Sequence, residues 1–269
     1  MKKALLGLSN NIKDNFSKIK VWSQSFKKYS DGEVVLLCAN ATNEEVSMCE
    51  SIGITAIPVG INNTWFINHK RLERTFEFLN TSDIDLFLIT DVFDVVFQGN
   101  PFEKLDLNYD IFVSGEGVLV GEEPWNTDNI SKIFPSEIQK CRPNEVICSG
   151  IIAGKRTPLI SLYKRMFELC ENGSDNHNIK DQAALIVMIA NNEIPNLKIF
   201  NLDDGWSMHC AVAGPTPFFD GWGFRGKLKY GIPYMDNNIV YSKGGIKYDM
   251  VHQFNRVPSW NEVLIKDYV

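Results

Sequence analysis

The amino-acid sequence predicts an α/β fold in which helices flank a mixed, mostly parallel sheet and the C-terminal half is irregular. Over the first 100 residues, short apolar runs alternate with longer segments whose apolar residues recur at helical spacing, which is typical of βαβ units. From about residue 205 the chain is rich in Gly, Pro and aromatic residues, which predicts short strands and loops. The 269 residues, 44% of them apolar, suffice for the core of one domain.

Four strands and three helices are predicted in the N-terminal half. Ile19, Trp22 and Phe26 recur at helical spacing within the first helix, 13–29. Glu33–Cys38 is an almost continuous apolar run, as expected for a parallel strand buried on both faces. The other predicted elements of this half are the strands Ala4–Leu8, Ile54–Val59 and Leu86–Thr90 and the helices Asn43–Ile52 and 66–79.

The second half is less regular. Apolar runs predict strands at Asp110–Ser114 and Val146–Gly154, and helical spacing predicts helices at 158–170 and 181–191. The chain contains no internal repeat and no Ser/Pro-rich linker. A single domain over residues 1–269 is therefore the expected organisation.

Charge and cysteine spacing exclude several classes of protein. The formal net charge of −6 provides no broad basic field for a nucleic-acid backbone, which argues against a nucleic-acid partner. The six cysteines are scattered, without the close spacing of a zinc knuckle or a redox pair. They are expected to be buried thiols in a reducing compartment.

The N-terminus and the hydropathy pattern lead us to expect a cytoplasmic protein. The apolar run after Lys2-Lys3 ends at Ser9 with no cleavage-type segment, so we interpret it as a first strand rather than a signal peptide. Nowhere do ~18 consecutive apolar residues occur, so no membrane span is expected. The Lys, Asn and Ile usage suggests an AT-rich genome, bacterial or viral.

The sharpest local feature is a pair of carboxylates in an apolar stretch. Asp91 and Asp94 lie three residues apart, directly after the predicted strand Leu86–Thr90, at the edge where α/β sheets bind their ligands. Buried carboxylates are costly unless they are paired or bind a metal ion. The residues leave two interpretations open: a metal site, or a turn in which Asp91 is a cap and Asp94 faces solvent.

One imidazole in the C-terminal region is a candidate third ligand. His252 follows a short apolar, strand-like run, and Arg256 lies four residues further on, where its guanidinium can bind phosphate. Oxygen ligands suit Mg²⁺ or Mn²⁺, and an added imidazole favours Mn²⁺. An isolated histidine is nevertheless often purely structural.

Four motifs in order give this sequence a specific resemblance. Thr90-Asp-Val-Phe-Asp94 resembles the metal-binding signature of GT-A glycosyltransferases, in the Asp-x-x-Asp form of the glycosyltransferase domains of collagen lysyl hydroxylases. Val146–Gly154 is similar to the Cys-Ser-Gly stretch of those domains and of glycogenin-like transferases. Lys180-Asp-Gln-Ala183 and Val251-His-Gln-Phe254 resemble their downstream Asp-Gln element and their C-terminal metal-binding His. The resemblance implies a GT-A (Rossmann-like) fold, with a nucleotide-binding half over 1–100 and an acceptor-side half over 101–269.

The resemblance also implies a metal centre and a donor site. Asp91, Asp94 and His252 would hold Mn²⁺ (or Mg²⁺) against the diphosphate of a nucleotide-sugar, most often UDP. The implied donor-binding residues are Ser9, Asn10, Arg71, Asp91, Ser149, Gly150 and Arg256. A solvated basic helix face is the alternative for the segment around Arg71.

The Asp-Gln element implies the catalytic residues. Asp181 would bind sugar hydroxyls or orient the reacting hydroxyl, and Gln182 would support it. Asp181 also fits a helix N-terminal acid favoured by the helix dipole, and the two roles can coexist. An aromatic group, Trp206, Phe218, Phe219, Trp222 and Phe224, is a candidate platform for a sugar acceptor, although packing is the commoner use of such residues.

These residues lead to one principal functional hypothesis and two alternatives. The principal one is a metal-dependent glycosyltransferase that moves a sugar from a nucleotide-diphosphate donor to a hydroxyl of a glycan or other acceptor. The first alternative is a sugar-nucleotide hydrolase or a nucleotidyltransferase, although the segment after the first strand lacks the Gly-rich basic loop of a nucleotidyltransferase. The second is a non-catalytic nucleotide-sugar-binding module.

Overall fold

The computed structural model describes residues 1–61, 67–173, 180–214 and 228–268. In chain order the described strands are β1 (Lys3–Ser9), β2 (Glu33–Ala39), β3 (Thr55–Val59), β4 (Leu86–Thr90), β5 (Val95–Phe97), β6 (Ile111–Leu119), β7 (Glu145–Lys155), β8 (Leu197–Phe200), β9 (Ser207–His209), β10 (Tyr234–Asp236), β11 (Ile239–Tyr241) and β12 (Met250–His252). The described helices are α1 (Phe16–Tyr29), α2 (Asn43–Ser51), α3 (Ile67–Thr81), α4 (Pro124–Ile133), α5 (Ile138–Cys141), α6 (Arg156–Asn172), α7 (Asp181–Ala190), α8 (Cys210–Ala213) and α9 (Pro258–Ile265).

Seven of these strands form the central sheet, in the order β3-β2-β1-β4-β7-β6-β8. Each described pair in it is parallel except those made by β7, which runs antiparallel to β4 and β6. The prediction of a mixed, mostly parallel sheet flanked by helices is confirmed. The parallel strands share one carboxyl edge, and β7 enters the sheet from that edge.

Burial on both faces explains the continuous apolar strands. Leu5 and Leu6 of β1 are both fully buried, but they point to opposite sides of the sheet. Leu5 belongs to an apolar cluster with Trp22 of α1, and Leu6 belongs to another with Leu72 of α3. The sheet is therefore the middle layer of three, as a doubly covered parallel sheet requires.

The structure extends the predicted second half. Strand β6 has nine residues rather than the five predicted at Asp110–Ser114, because it passes through two register shifts around Gly115. Gly117 lies in the left-handed region at φ 77°, and such bulges hide a strand from a search for regular alternation. The helices α4 and α5 and the strand β8 were not predicted.

A small second sheet, in the order β5-β12-β9, connects distant parts of the chain. Its register pairs His252 with Val95 on one side and with His209 on the other. The Gln253 N–H also donates to the carbonyl oxygen of Asp94, at 2.7 Å. This sheet therefore places the end of β12 beside the segment that follows β4.

The described helices include none that is both long and apolar enough to cross a membrane. All six cysteines are buried, as predicted, and their thiols are free.

The buried side chain of Gln98 is expected to stabilise the connection between β5 and the antiparallel pair β10–β11. Its Oε1 accepts from the Val240 N–H at 2.9 Å, and its Nε2 donates to the carbonyl oxygen of Tyr248 at 3.1 Å. Gln98→Leu would leave these buried backbone groups unpaired, which costs about 1–3 kcal/mol each. Urea unfolding should show a loss of about 2 kcal/mol or more, whereas Gln139→Leu at an exposed position serves as the control. Equal stabilities of the two variants would contradict this role.

Candidate functional site

A cleft of about 460 Å³ opens at the carboxyl edge of the central sheet. It lies where α/β sheets bind ligands, beyond the ends of the parallel strands. Its described lining residues are Asn68, Arg71, Asp91, Glu116, Glu123, Trp125, Asn126, Cys148, Ser149, Gly150, Asp181, Gln182, Ala211, Val212, His252, Gln253 and Arg256.

Asp91 lies where β4 ends, at the floor of the cleft. Its backbone N–H donates to the Gly150 carbonyl oxygen at 2.8 Å, and its carboxylate accepts from Arg71 Nη1. Burial alone would raise the pKa of Asp91, but the Arg71 guanidinium and the His252 imidazole outweigh it and hold the pKa well below its usual range. Asp91 is therefore an anion held between two cationic groups.

Arg71 connects the half-buried Asp91 to a second carboxylate, which is buried. Its Nη2 donates to Asp181 Oδ2 at 2.5 Å, and Ser149 Oγ donates to the same oxygen at 3.2 Å. Asp181 begins α7 and is 2% exposed. Its other oxygen, Oδ1, is buried and accepts no hydrogen bond from the described residues. The floor of the cleft therefore presents a carboxylate oxygen that has no hydrogen-bond partner among the described residues.

His252 lies at the end of β12, with its imidazole fully inside the protein. Its Nε2 is 3.3 Å from Asp91 Oδ2 and 3.5 Å from Asp94 Oδ1. No well-directed hydrogen bond is made by this nitrogen within the part of the chain that the structure describes. One ligand atom from each of the three residues lies within 4.8 Å of the others. Two carboxylates and one imidazole form a ligand set that suits a divalent cation such as Mn²⁺.

The opposite edge of the His252 ring faces a second buried cluster. His252 Nδ1 is 3.1 Å from His209 Nδ1 and 3.3 Å from Cys148 Sγ. Burial opposes charge on His252, but Cys148 and the carboxylates of Asp94 and Asp91 outweigh it and keep the His252 pKa well above its ordinary value. Burial and the His252 charge instead lower the pKa of His209 well below its ordinary value. In the absence of a metal ion, the pair thus places its positive charge on His252.

The remaining sequence-predicted residues fall into two groups. Gln182 and Arg256 line the cleft with Asp181, and Gln182 Nε2 donates to Asn126 Oδ1 at 2.9 Å. Ser9 ends β1 and Asn10 follows it, and neither is among the described lining residues. Ser9 Oγ donates to the Asn10 carbonyl oxygen at 3.1 Å. The roles assigned to all these residues stay predictions.

Three groups near the cleft were missed by sequence reasoning. Glu123 caps α4, because its carboxylate accepts from the backbone N–H groups of Trp125 and Asn126 at 3.0 and 2.6 Å. Glu116 is buried in the bulged strand β6, where burial and the nearby Glu123 raise its pKa to about 8. His209 was assigned no role. The sequence signal for His209 is that Ser207 and His209 share one face of the short strand β9, and such a signal is weak in a stretch of three residues.

Trp206 does not form the suggested acceptor platform. The indole is fully buried, stacks on Phe200 at 4.7 Å between ring centroids and donates from Nε1 to the Pro101 carbonyl oxygen. Burial leaves it no face for a sugar, so its role is packing. The other members of the group, Phe218, Phe219, Trp222 and Phe224, lie outside the described residues.

Comparison with solved structures shows the fold. The galactosyltransferase LgtC in complex with donor and acceptor sugar analogs is 12% identical, with a TM-score of 0.58 over 97% of this chain and 95% of that one. An active-site mutant of LgtC gives 11% identity and the same TM-score over 97% and 94% of the two chains. The chain therefore has the GT-A fold implied by its motifs. No protein-family model matches the sequence, and no curated protein matches it.

Ionisation of Glu116 is expected to make stability depend on pH. Its pKa rises from about 4.5 in the unfolded chain to about 8 in the fold, so the folded state retains the proton that the unfolded state loses. The contribution of Glu116 to stability is then greatest below pH 4.5 and falls as the pH rises toward 8. Glu116→Gln mimics the protonated side chain and should equal wild type near pH 4.5 but exceed it by a few kcal/mol near pH 9.

Denaturant unfolding of wild type and Glu116→Gln across this pH range measures the effect directly. Glu122→Gln, which changes a neighbouring carboxyl whose side chain is not buried, controls for the loss of charge. A difference between wild type and Glu116→Gln that does not change with pH would show that folding does not raise the pKa of Glu116.

Proposed function

We propose that the protein is a metal-dependent glycosyltransferase that transfers a sugar from a UDP-sugar donor to a hydroxyl of a glycan or other acceptor. The observation that carries the proposal is the cluster of Asp91, Asp94 and buried His252 at the carboxyl edge of a GT-A sheet. The LgtC structures, one of them in complex with donor and acceptor sugar analogs, support the transfer of a sugar from a donor to an acceptor.

Asp91, Asp94 and His252 would hold the divalent cation, Mn²⁺ or Mg²⁺. The buried His252 Nε2 without a directed hydrogen bond fits a metal ligand, since it faces two carboxylates and has no other described partner. Gly150 fits as well, because a Cβ at this position would lie 2.5 Å from His252 Cε1 and 2.6 Å from Asp91 Oδ2. When bound, such an ion acts as a Lewis acid that neutralises charge on a leaving diphosphate.

The chain's own cations would bind the donor diphosphate. Arg256 lines the cleft and its guanidinium has no ion pair among the described residues, so it is available for phosphate oxygens. Arg71 is committed to Asp91 and Asp181. Its role would be to hold these two carboxylates at a fixed separation and to face the donor with its remaining surface.

Asp181 would bind the sugar. Its Oδ1 has no described partner, so a sugar hydroxyl that donates to this oxygen would satisfy a buried acceptor. Ser149 and Arg71 already hold Oδ2, which fixes the carboxylate in place before substrate binds. Gln182, held by Asn126, would lie beside it on the acceptor side. Donor and acceptor held in one cleft would react with the advantage of proximity.

Turnover of nucleotide-sugars tests the proposal. The protein with Mn²⁺ and a panel of UDP- and GDP-sugars should release nucleoside diphosphate from one donor, and EDTA should abolish the release. Asp94→Asn should lower the rate by about 100-fold or more, because a metal ion contributes several kcal/mol to such a transition state.

The matched control is Asp236→Asn, which removes an exposed carboxylate from β10. UDP that raises the melting temperature with Mn²⁺, without turnover of any donor and acceptor, would indicate a binding module instead. Neither turnover nor a melting shift with any nucleotide would contradict the proposal.

Gly150→Ala is expected to weaken Mn²⁺ binding by about tenfold or more, because its Cβ would force His252 and Asp91 apart. Gly60→Ala is the control, since a Cβ there meets no atom within 4 Å. Titration of free Mn²⁺ by electron paramagnetic resonance measures both variants. Equal affinity of Gly150→Ala and wild type would place the metal elsewhere.

A further inference from the structure

The two nitrogens of the His252 imidazole lie on opposite edges of the ring and contact different groups. Nε2 points toward the carboxylates of Asp91 and Asp94. Nδ1 points into the protein, 3.1 Å from His209 Nδ1. His209 is fully buried and His252 is 1% exposed, so solvent does not satisfy either ring. The hydrogen-bond partners within the protein therefore determine which ring nitrogens carry protons.

The small sheet fixes this contact. β12 and β9 are parallel, with His252 directly paired to His209. Their rings meet edge to face, with centroids 5.3 Å apart and planes at 87°. Each ring is carried by a strand rather than by a loop, so their separation is set by the backbone pairing.

Two nitrogens 3.1 Å apart share one proton. If His252 Nε2 is to bind a metal ion, its lone pair must be free, so the ring proton must lie on Nδ1. His252 would then donate this proton to an unprotonated His209 Nδ1, and the proton of His209 would lie on its Nε2. His209 Nε2 is 3.1 Å from Ser207 Oγ, a hydroxyl that can accept it.

The opposite placement of the protons would leave His252 Nε2 without a free lone pair for a metal ion. A proton on His209 Nδ1 would be donated to His252 Nδ1 and would leave the His252 proton on Nε2, between the two carboxylates. The other neighbour of His252 Nδ1 is Cys148 Sγ at 3.3 Å. Sulfur is a weak acceptor, and this one already accepts from the Gly150 N–H. Cys148 is therefore a poor substitute for His209.

We propose that His209 is a positioning residue for the metal site: it accepts the Nδ1 proton of His252 and so keeps Nε2 available as a ligand. The proposal rests on the metal-dependent function inferred above. Metal-bound histidines commonly donate their second N–H to a carboxylate, a carbonyl or water, and loss of that partner costs about 10–100-fold in metal affinity. In this protein an imidazole would take that role.

Histidine nitrogen NMR of the metal-free protein tests the proton positions. The chain has four histidines, so ¹⁵N-histidine labelling gives few signals, which single His→Asn variants assign. In the metal-free protein we expect His209 to carry its proton on Nε2, with Nδ1 unprotonated. We expect His252 to carry protons on both nitrogens, Nδ1 facing His209 and Nε2 facing the two carboxylates. A proton on His209 Nδ1 would overturn the proposal. Because no metal is present, this result does not depend on the proposed function.

Metal affinity separates positioning from packing. His209→Leu should weaken Mn²⁺ binding by about 10–100-fold, whereas His209→Asn should stay close to wild type, because its amide oxygen can accept in place of Nδ1. Met208→Leu, at the neighbouring buried position, controls for changes within β9. Melting temperatures of all three variants report whether the fold is retained.

Three outcomes are informative. Wild-type affinity of folded His209→Leu, or equal weakening of the Leu and Asn variants, would overturn the positioning role. If wild type does not bind Mn²⁺ at all, the proposed metal-dependent function fails, and the NMR assignment alone then decides whether His209 sets the His252 proton.

Discussion

A carboxylate that loses contact with water needs a positive partner, and the floor of the cleft holds two such groups, the half-buried Asp91 and the buried Asp181. Arg71 lies between them and donates to both. His252 supplies the second positive partner of Asp91 from the other side. Negative and positive groups therefore alternate along this chain of contacts, from Asp181 through Arg71 and Asp91 to His252. The low pKa of Asp91 and the high pKa of His252 each depend in part on the charge of the other group.

Backbone pairing brings these charges together from distant parts of the chain. Asp91 follows β4, whereas His252 arrives through a sheet that pairs β12 with β5 and β9. A shift of one residue in this pairing would turn His252 away from both Asp94 and His209. Gln98 anchors the same region by its hydrogen bonds to Val240 and Tyr248. The site thus depends on register as well as on ligand identity.

The sequence predicts the parallel strands well because burial on both faces leaves continuous apolar runs, as in Glu33–Cys38. It also points to Asp91, since a carboxylate at the end of an apolar strand stands out, whereas Asp181 was suggested by the resemblance of Lys180-Asp-Gln-Ala183 to a family element. It does not find the bulged part of β6, and with it Glu116, because bulges break the alternation. The contact between His209 and His252 depends on pairing across 43 positions, which no local pattern reports.

The most direct test of this account is a crystal structure with UDP and Mn²⁺, with diffraction data that locate manganese by its anomalous scattering. The account predicts one anomalous peak that contacts Asp91, Asp94 and His252 Nε2, with the diphosphate beside it and near Arg256. An anomalous peak that contacts none of these three residues, or UDP bound in the cleft without manganese, would contradict the account.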